Sequence, residues 1–451
     1  MNLRTLAERL SDEAIKGGAD QVQVQIHSED SSLTRFAASQ IHQNVARSMG
    51  GINVKAVKGR SIGTARINAL TEEAGSRAVI QALGTASLVP PNRSFVSLPE
   101  PSQWTPIHGS VDKDTAECSP EARAQVVKEI IDAAHDVSEK VTAVSGSVST
   151  GLHRYAVANS LGVSAEAEYT LAATSVTVIS GPPNGLSYSV DGEVSRSLGD
   201  LKTAETGVKV AENSVRGLNP VLLEPGVYEA ILMPNAGTTA LGSVTSGFAA
   251  RAWRTGTSFV RHHDGERVFD PKLSIADDPR HPETVIAVPV DGEGVPKESV
   301  ELITEGVVGE SGVCYDSMEA HRVGKKSTGH SALPGGRSFG PALGNLIVEA
   351  GNSSLEEMIA ETQRGVLVTQ FNYNAVVDTS EVIISGLTRN GTFLIEDGEI
   401  KSPVHNLRYT DSMLNTLKDI PLITKQRTKT RTRTLPTIKV NELRFTGATQ
   451  Y

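Results

Sequence analysis

Apolar residues at the start of the chain recur at the spacing of one helical face. Leu3, Leu6, Leu10, Ala14 and Ile15 form that stripe, and Gly17-Gly18 ends it. Val22, Val24 and Ile26 then alternate with polar residues, which predicts a half-buried strand. Two further strands are predicted over residues 52–57 and 61–67, joined by a hairpin turn at Lys58-Gly59. Thr71 stands as the N-cap of a helix reaching about Leu83, with Glu72 and Glu73 in the first turn, where the helix dipole favours negative charge.

Five prolines, Pro90, Pro91, Pro99, Pro101 and Pro106, make the next stretch extended and irregular. Ser119-Pro120 has the cap and first-turn signature of a helix whose buried stripe is Val126, Val127, Ile130, Ile131 and Ala134. Strands are expected over residues 141–148, 153–159 and 165–180, then a helix over 200–216. Gly217-Leu218-Asn219-Pro220 reads as a boundary, which divides the chain into units 1–217 and 218–451.

The second unit is denser in strand and turn signals. Residues 285–290, 299–304, 306–315, 365–371, 381–385 and 391–400 all read as extended, with Asp397-Gly398 as a two-residue hairpin turn. Helices are expected over residues 355–361, capped by Ser353 or Ser354, and over 411–418. The fold class is therefore α+β: a mixed N-terminal domain followed by a mostly antiparallel, barrel-like C-terminal β domain.

Composition narrows the function classes. At 451 residues, with 43 basic against 52 acidic side chains, the chain carries a formal charge of -9, which disfavours nucleic acid as a general partner. Two cysteines, Cys118 and Cys314, cannot build a disulfide framework and suit a reducing cytoplasm. The first residues read as an amphipathic helix, not a signal peptide, and no apolar run is long enough to span a membrane as a helix.

Several segments carry chemistry-bearing residue types. Gly336-Arg337-Ser338-Phe339-Gly340 has the spacing of a serine-hydrolase elbow, but prolines on both sides give it a loop context instead of strand and helix. His262, His263, Asp264, Asp270 and His281 supply metal-ligand types, but adjacent histidines on a strand point to opposite faces, and His263-Asp264-Gly265-Glu266 reads better as a polar turn. Lys326-Ser327-Thr328-Gly329-His330 is a polar loop. It has the groups to grip a peptide or carboxylate, or to satisfy its own backbone through Ser and Thr hydroxyls. Lys425, Arg427, Lys429, Arg431 and Arg433 alternate with Gln426, Thr428, Thr430 and Thr432. On one strand they would form a cationic face for an acidic partner or peptide, or a charged edge that resists aggregation.

Four blocks resemble the TldD/PmbA family. They are Gly51-Ile52-Asn53-Val54-Lys55-Ala56-Val57-Lys58-Gly59-Arg60 with Ile62-Gly63-Thr64-Ala65; Ala158-Asn159-Ser160-Leu161-Gly162-Val163; the Lys326 to His330 loop; and residues 386–400 with Pro403-Val404 after them. The resemblance implies a pair of related subunits, of which the TldD type carries a His-Glu-x-x-x-His zinc motif on a helix. The matching stretch here, from Asn235 to Ala252, contains no His, Glu, Asp or Cys. A zinc site needs such ligands. The TldD branch also ends in a cysteine-bearing segment, and this chain has no cysteine after Cys314. The chain thus resembles the PmbA or TldE branch. That resemblance implies a cytoplasmic heterodimer with a TldD-type homologue that holds the zinc, no metal or catalytic residue in this chain, and an extended peptide or peptide-like substrate. A stand-alone binding or regulatory protein acting as a homodimer is the alternative.

Overall fold

The computed structural model describes residues 2–335 and 340–449. The elbow-like motif at Gly336, Arg337, Ser338 and Phe339 lies outside the described residues.

The N-terminal unit runs α1 (Leu3–Lys16), β1 (Gln21–Ala37), β2 (Gln40–Lys58), β3 (Ser61–Ile67), α2 (Glu72–Leu88), α3 (Lys113–Ala116), α4 (Pro120–Val137), β4 (Val141–Asn159), β5 (Ser164–Ser180), β6 (Ser187–Asp191), β7 (Val194–Ser195) and α5 (Thr203–Arg216). Its strands form one antiparallel sheet in the order β3-β2-β1-β4-β5-β6, with β7 added to β5. Side chains alternate between the two faces of a strand. Val22, Val24 and Ile26 point to the helical side, where Leu6, Leu10 and Ala14 of α1 and Ala78, Val79 and Ala82 of α2 complete a core. Farther along the same face, Val144, Val148, Val176 and Val178 pack against Val127 and Ile130 of α4 and Val210 of α5. All four long helices therefore cover one face, and the other is left to the rest of the chain.

Local signals explain the helix boundaries. The Thr71 side chain accepts from Ala74 N, and Ser119 accepts from Ala122 N ahead of Pro120. The second helix runs on to Leu88, past the expected end near Leu83. The turn after β2 falls at Gly59-Arg60. The two strands expected at 141–148 and 153–159 are one continuous strand, β4, paired along its length with β1 and β5. The outer half of β2 is exposed on both faces, so it carries no apolar alternation to reveal it.

The C-terminal unit runs β8 (Gly226–Leu232), α6 (Pro234–Thr245), α7 (Ala250–Thr255), β9 (Ile275–Asp277), β10 (Val300–Thr304), β11 (Val307–Val308), α8 (Ser317–Arg322), β12 (Leu346–Val348), α9 (Leu355–Ala360), β13 (Arg364–Asp378), β14 (Ile383–Glu396), β15 (Glu399–Pro403), β16 (Leu407–Ser412), α10 (Met413–Thr416), β17 (Leu422–Lys429) and β18 (Arg433–Ala448). β18 pairs with both β16 and β8, so the path β8-β13-β14-β16-β18 closes on itself as a small barrel. β9 to β12 extend the sheet beyond it. Asp397-Gly398 makes the expected hairpin turn, both residues with positive φ. A capping box between Ser354 and Glu357 starts α9.

Four expectations in this unit change. The strand pair expected at 381–385 and 391–400 is one strand, β14, up to the turn. The helix expected at 411–418 is a single turn, because Leu407 and Tyr409 alternate inward along β16 and hold the chain extended to Ser412. The extended segment at 306–315 is a strand only at Val307–Val308 and then turns over Glu310–Gly312. Residues 285–290 belong to no strand. Their apolar side chains, Ile286, Val288 and Val290, pack on Tyr155, Val157, Ala165 and Tyr169 of the N-terminal sheet, on the face opposite the helices. Tyr155 donates its hydroxyl to Val290 O at 2.6 Å. This contact joins the two units.

Candidate functional site

Beside that contact lies a cleft of about 530 Å³. One wall is the polar face of β1, β2 and β3. The register places Gln23, Lys55 and Thr64 in one cross-strand row, and Gln25, Asn53 and Arg66 in the next. The opposite wall is built from Arg251 and Arg254 of α7, Met318, Glu319 and Arg322 of α8, and residues 331–335. Gln25 ties the walls together by donating to Gly292 O. Strand alternation made Gln23 and Gln25 predictable as a non-core face. Nothing local in the sequence marked that face as the wall of a cleft, because the opposite wall comes from more than 200 residues away.

Four carboxylates sit in or under the cleft, and each has a different environment. Asp291 is fully buried; its Oδ1 accepts from Glu293 N and Val295 N, and its Oδ2 from Ser331 N. Burial, and next the charge of Glu293, push it up to about 7. Asp316 caps α8 by accepting from Glu319 N at 2.7 Å, and burial, with Glu293 second, raises it to about 6. Glu293 accepts from Ser317 N at 3.0 Å and lies 3.6 Å from Lys55 Nζ. Glu319 takes Arg254 at 2.6 Å and also pairs with Arg322. Arg66 and Arg251 line the cleft with no acidic partner among the described residues. Two buried acceptors on the sheet wall, Gln23 Oε1 and Asn53 Oδ1, have no hydrogen-bond partner among the described residues.

The Lys326 to His330 loop runs beneath this cleft. Ser327 Oγ and Thr328 Oγ1 donate to Tyr315 O at 3.1 and 3.2 Å, and Thr328 Oγ1 accepts from Tyr315 N at 2.8 Å. Gly329 has φ +72, and a Cβ there would meet Pro296 O at 2.0 Å, so the tight passage requires glycine. His330 is completely buried. Its Nδ1 lies 2.9 Å from Thr328 O and Oγ1, and its Nε2 is 3.5 Å from Asp277 Oδ1. The sequence around His330 offered no carboxylate partner; the fold supplies one from β9. Lys326 is exposed. The loop delivers Ser331 directly to the cleft wall.

The basic run does not form one cationic face. It bends between Lys429, where β17 ends, and Arg433, where β18 begins, with Thr430 N donating to Arg433 O. A register shift between Ile423 and Arg427 also breaks the alternation. Arg427 pairs with Glu283 and donates to Val348 O at 3.3 Å. Arg431 reaches across to Tyr169 on the N-terminal sheet, where Tyr169 stacks on His153. Arg433 is held against Gly242 of α6, and burial lowers its affinity for a proton. Lys425 and Lys429 keep no acidic partner among the described residues.

The metal-type residues are dispersed. His263 Nδ1 and Glu266 Oε2 lie 2.7 Å apart in a polar turn, and Asp264 accepts from Glu310 N. Asp270 accepts from Lys272 N and Ile420 N, and His281 Nδ1 accepts from Glu283 N. No group of three or more His, Cys, Asp or Glu among the described residues is placed to hold a metal ion. In α6, the stretch aligned by resemblance with the zinc helix, Ala236, Ala240, Leu241 and Val244 are core. With Arg433 against Gly242 and no ligand-type side chain from Asn235 to Ala252, the donor set of this helix does not fit zinc.

No helix of the described residues is long and apolar enough to cross a membrane. The whole architecture is similar to that of TldE from Thermococcus kodakarensis, with a TM-score of 0.89 and 23% identity over 97% of this chain and 99% of that one. A putative modulator of a DNA gyrase from Thermotoga maritima gives a TM-score of 0.85 at 20% identity, covering 99% of this chain and 100% of that one. Among curated proteins, Metalloprotease PmbA of Escherichia coli O157:H7 is 24% identical over 229 residues, 50% of this chain and 48% of its own length. A Metalloprotease TldD homolog of Haemophilus influenzae is 26% identical over 208 residues, 46% of this chain and 41% of its own. The chain thus spans about half the length of these two relatives. A Metalloprotease PmbA homolog of Haemophilus influenzae aligns more fully, at 22% identity over 82% of this chain and 80% of its own length. Residues 113–218 match the PmbA/TldA metallopeptidase central domain and residues 225–447 its C-terminal domain. Together these matches cover well over half of the sequence, and the chain belongs to the PmbA/TldD family.

Proposed function

We propose that this chain is the non-metal subunit of a heterodimeric TldD-type zinc peptidase, and that its cleft helps to hold an extended peptide or peptide-like substrate. One observation carries the reading. The chain has a built, polar, two-walled cleft, yet the α6 stretch offers no zinc ligand, and among the described residues the cleft lining holds no histidine, serine–histidine pair or cysteine set to act as a nucleophile. Binding without the means to cut fits a subunit that completes another's site. Zinc, in this reading, belongs to the TldD-type partner. A cytoplasmic location is part of the same proposal and rests on the family resemblance and on the two unpaired cysteines.

The Lys326 to His330 loop contributes by fixing the wall that begins at Ser331, with exposed Lys326 as the member able to reach a ligand. For the basic run, partner contact falls to Lys425 and Lys429, since Arg427, Arg431 and Arg433 are engaged within the chain. Co-expression with a zinc-bearing TldD-type homologue from the same source tests the proposal. The two chains are expected to co-purify as a one-to-one complex. A homodimer that ignores the homologue would instead favour the stand-alone binding protein.

A further inference from the structure

The cleft has an unbalanced charge inventory. Its walls carry Lys55, Arg66, Arg251, Arg254 and Arg322 against Glu293, Asp316 and Glu319. Glu319 is taken by Arg254 and Arg322, and Glu293 faces Lys55. Asp316 is committed to the α8 cap. Arg66 on the sheet wall and Arg251 on the helical wall are left as the uncompensated cations among the described residues. A guanidinium presents a planar fork of donors that matches a carboxylate.

The same wall has a second unmet requirement. Gln23 Oε1 and Asn53 Oδ1 are buried acceptors without partners among the described residues, and a buried polar atom left unsatisfied is destabilising. Asn53 pairs with Arg66 across β2 and β3, so an orphan acceptor and a free cation stand in the same row. A ligand that meets both needs carries an anion next to N–H donors. A peptide end does so, whereas an inorganic anion without hydrogens, such as sulfate, answers only the guanidinium groups.

We propose that the cleft recognises the carboxylate of a peptide, at its C-terminus or on an acidic side chain near that end. Arg66 and Arg251 hold the anion from opposite walls, and Gln23 and Asn53 accept N–H groups from the adjoining backbone. This inference rests on the reading of the cleft as a peptide site. It adds the feature of the peptide that is recognised.

The test is a titration of the purified chain, by calorimetry or anisotropy, with three versions of one short neutral peptide: the free acid, the C-terminal amide, and the amide with a glutamate near its end. The free acid is expected to bind. Amidation is expected to weaken binding at least about tenfold, and the added glutamate to restore it if a side-chain carboxylate also serves. Arg66→Gln and Arg251→Gln are each expected to weaken the free acid about tenfold or more and leave the amide unaffected. Both arginines are exposed, so the fold should persist, as a melting curve would verify. Equal binding of acid and neutral amide, indifference to both substitutions, or no binding of the free acid at about 1 mM would overturn the inference. Inorganic sulfate, which has no hydrogen to donate, competing as well as the free peptide acid would overturn the role of Gln23 and Asn53. Co-purification of either variant with the TldD-type homologue separates these failures from failure of the subunit proposal.

Discussion

His330 Nε2 lies 3.5 Å from Asp277 Oδ1, and neither side chain has any exposed surface. Asp277 also accepts from Gly344 N at 2.8 Å and Asn345 N at 3.1 Å. The pair links β9, the Lys326 to His330 loop and the segment that returns to β12. Burial alone would raise the Asp277 carboxyl, but His330, Lys297 and the Asn345 amide outweigh it and hold Asp277 below the usual carboxylate range.

These contacts give His330 a structural role. His330→Ala takes away the side chain that faces buried Asp277 Oδ1 and leaves a cavity in its place, so it is expected to destabilise the chain by about 2–3 kcal/mol, read as a lower urea midpoint with an unchanged slope. Because the folded-state pKa of Asp277 is depressed, its contribution is present above the unfolded value and is lost as pH falls below it. The cost of His330→Ala should therefore shrink in acid. An unchanged midpoint, with only a higher Michaelis constant in the assembled complex, would place His330 at the substrate instead.

The cleft carboxylates carry the opposite sign. Asp291 and Asp316 have raised folded-state values, about 7 and about 6, so ionising them disfavours the folded chain. Their penalty is absent below the unfolded carboxylate value and complete above about 7. Glu293→Gln removes a charge that raises both. Relative to the parent, that variant should gain urea resistance as pH rises from about 5 to about 8. Parallel pH profiles would show that Glu293 does not couple to them.

The basic run separates into bound and free members. Arg427→Gln loses the Glu283 pair and the Val348 carbonyl, and is expected to cost about 1 kcal/mol. Lys429→Gln should stay within about 0.5 kcal/mol of the parent. If both changes prove equally silent, the run is solvated as a charged strand would be.

Much of the fold was legible because local rules and packing agree. Thr71, Ser119 and Ser354 cap the helices that their positions predict, and Asp397-Gly398 turns the hairpin. Where they disagree, packing decides. Tyr409 and Leu407 keep residues 411–412 in a strand despite a helix-like pattern. Arg427 and Arg431 bend toward Glu283 and Tyr169, partners that lie far away in sequence. The candidate site was the least legible part. The polar alternation of Gln23 and Gln25 shows a face that is not core, but only the fold brings Arg251, Glu293 and Asp316 opposite it. The Lys326 to His330 motif was visible, whereas its burial against Asp277 was not, since that partner lies on β9, far back along the chain.

Peptide turnover by the separate and combined subunits tests the central claim most directly. An unstructured peptide is incubated with this chain, with a zinc-bearing TldD-type homologue, and with both together. The account predicts no cleavage by this chain alone, with or without added zinc, and chelator-sensitive cleavage by the pair. Stoichiometric, chelator-sensitive cleavage by the purified chain alone would contradict it.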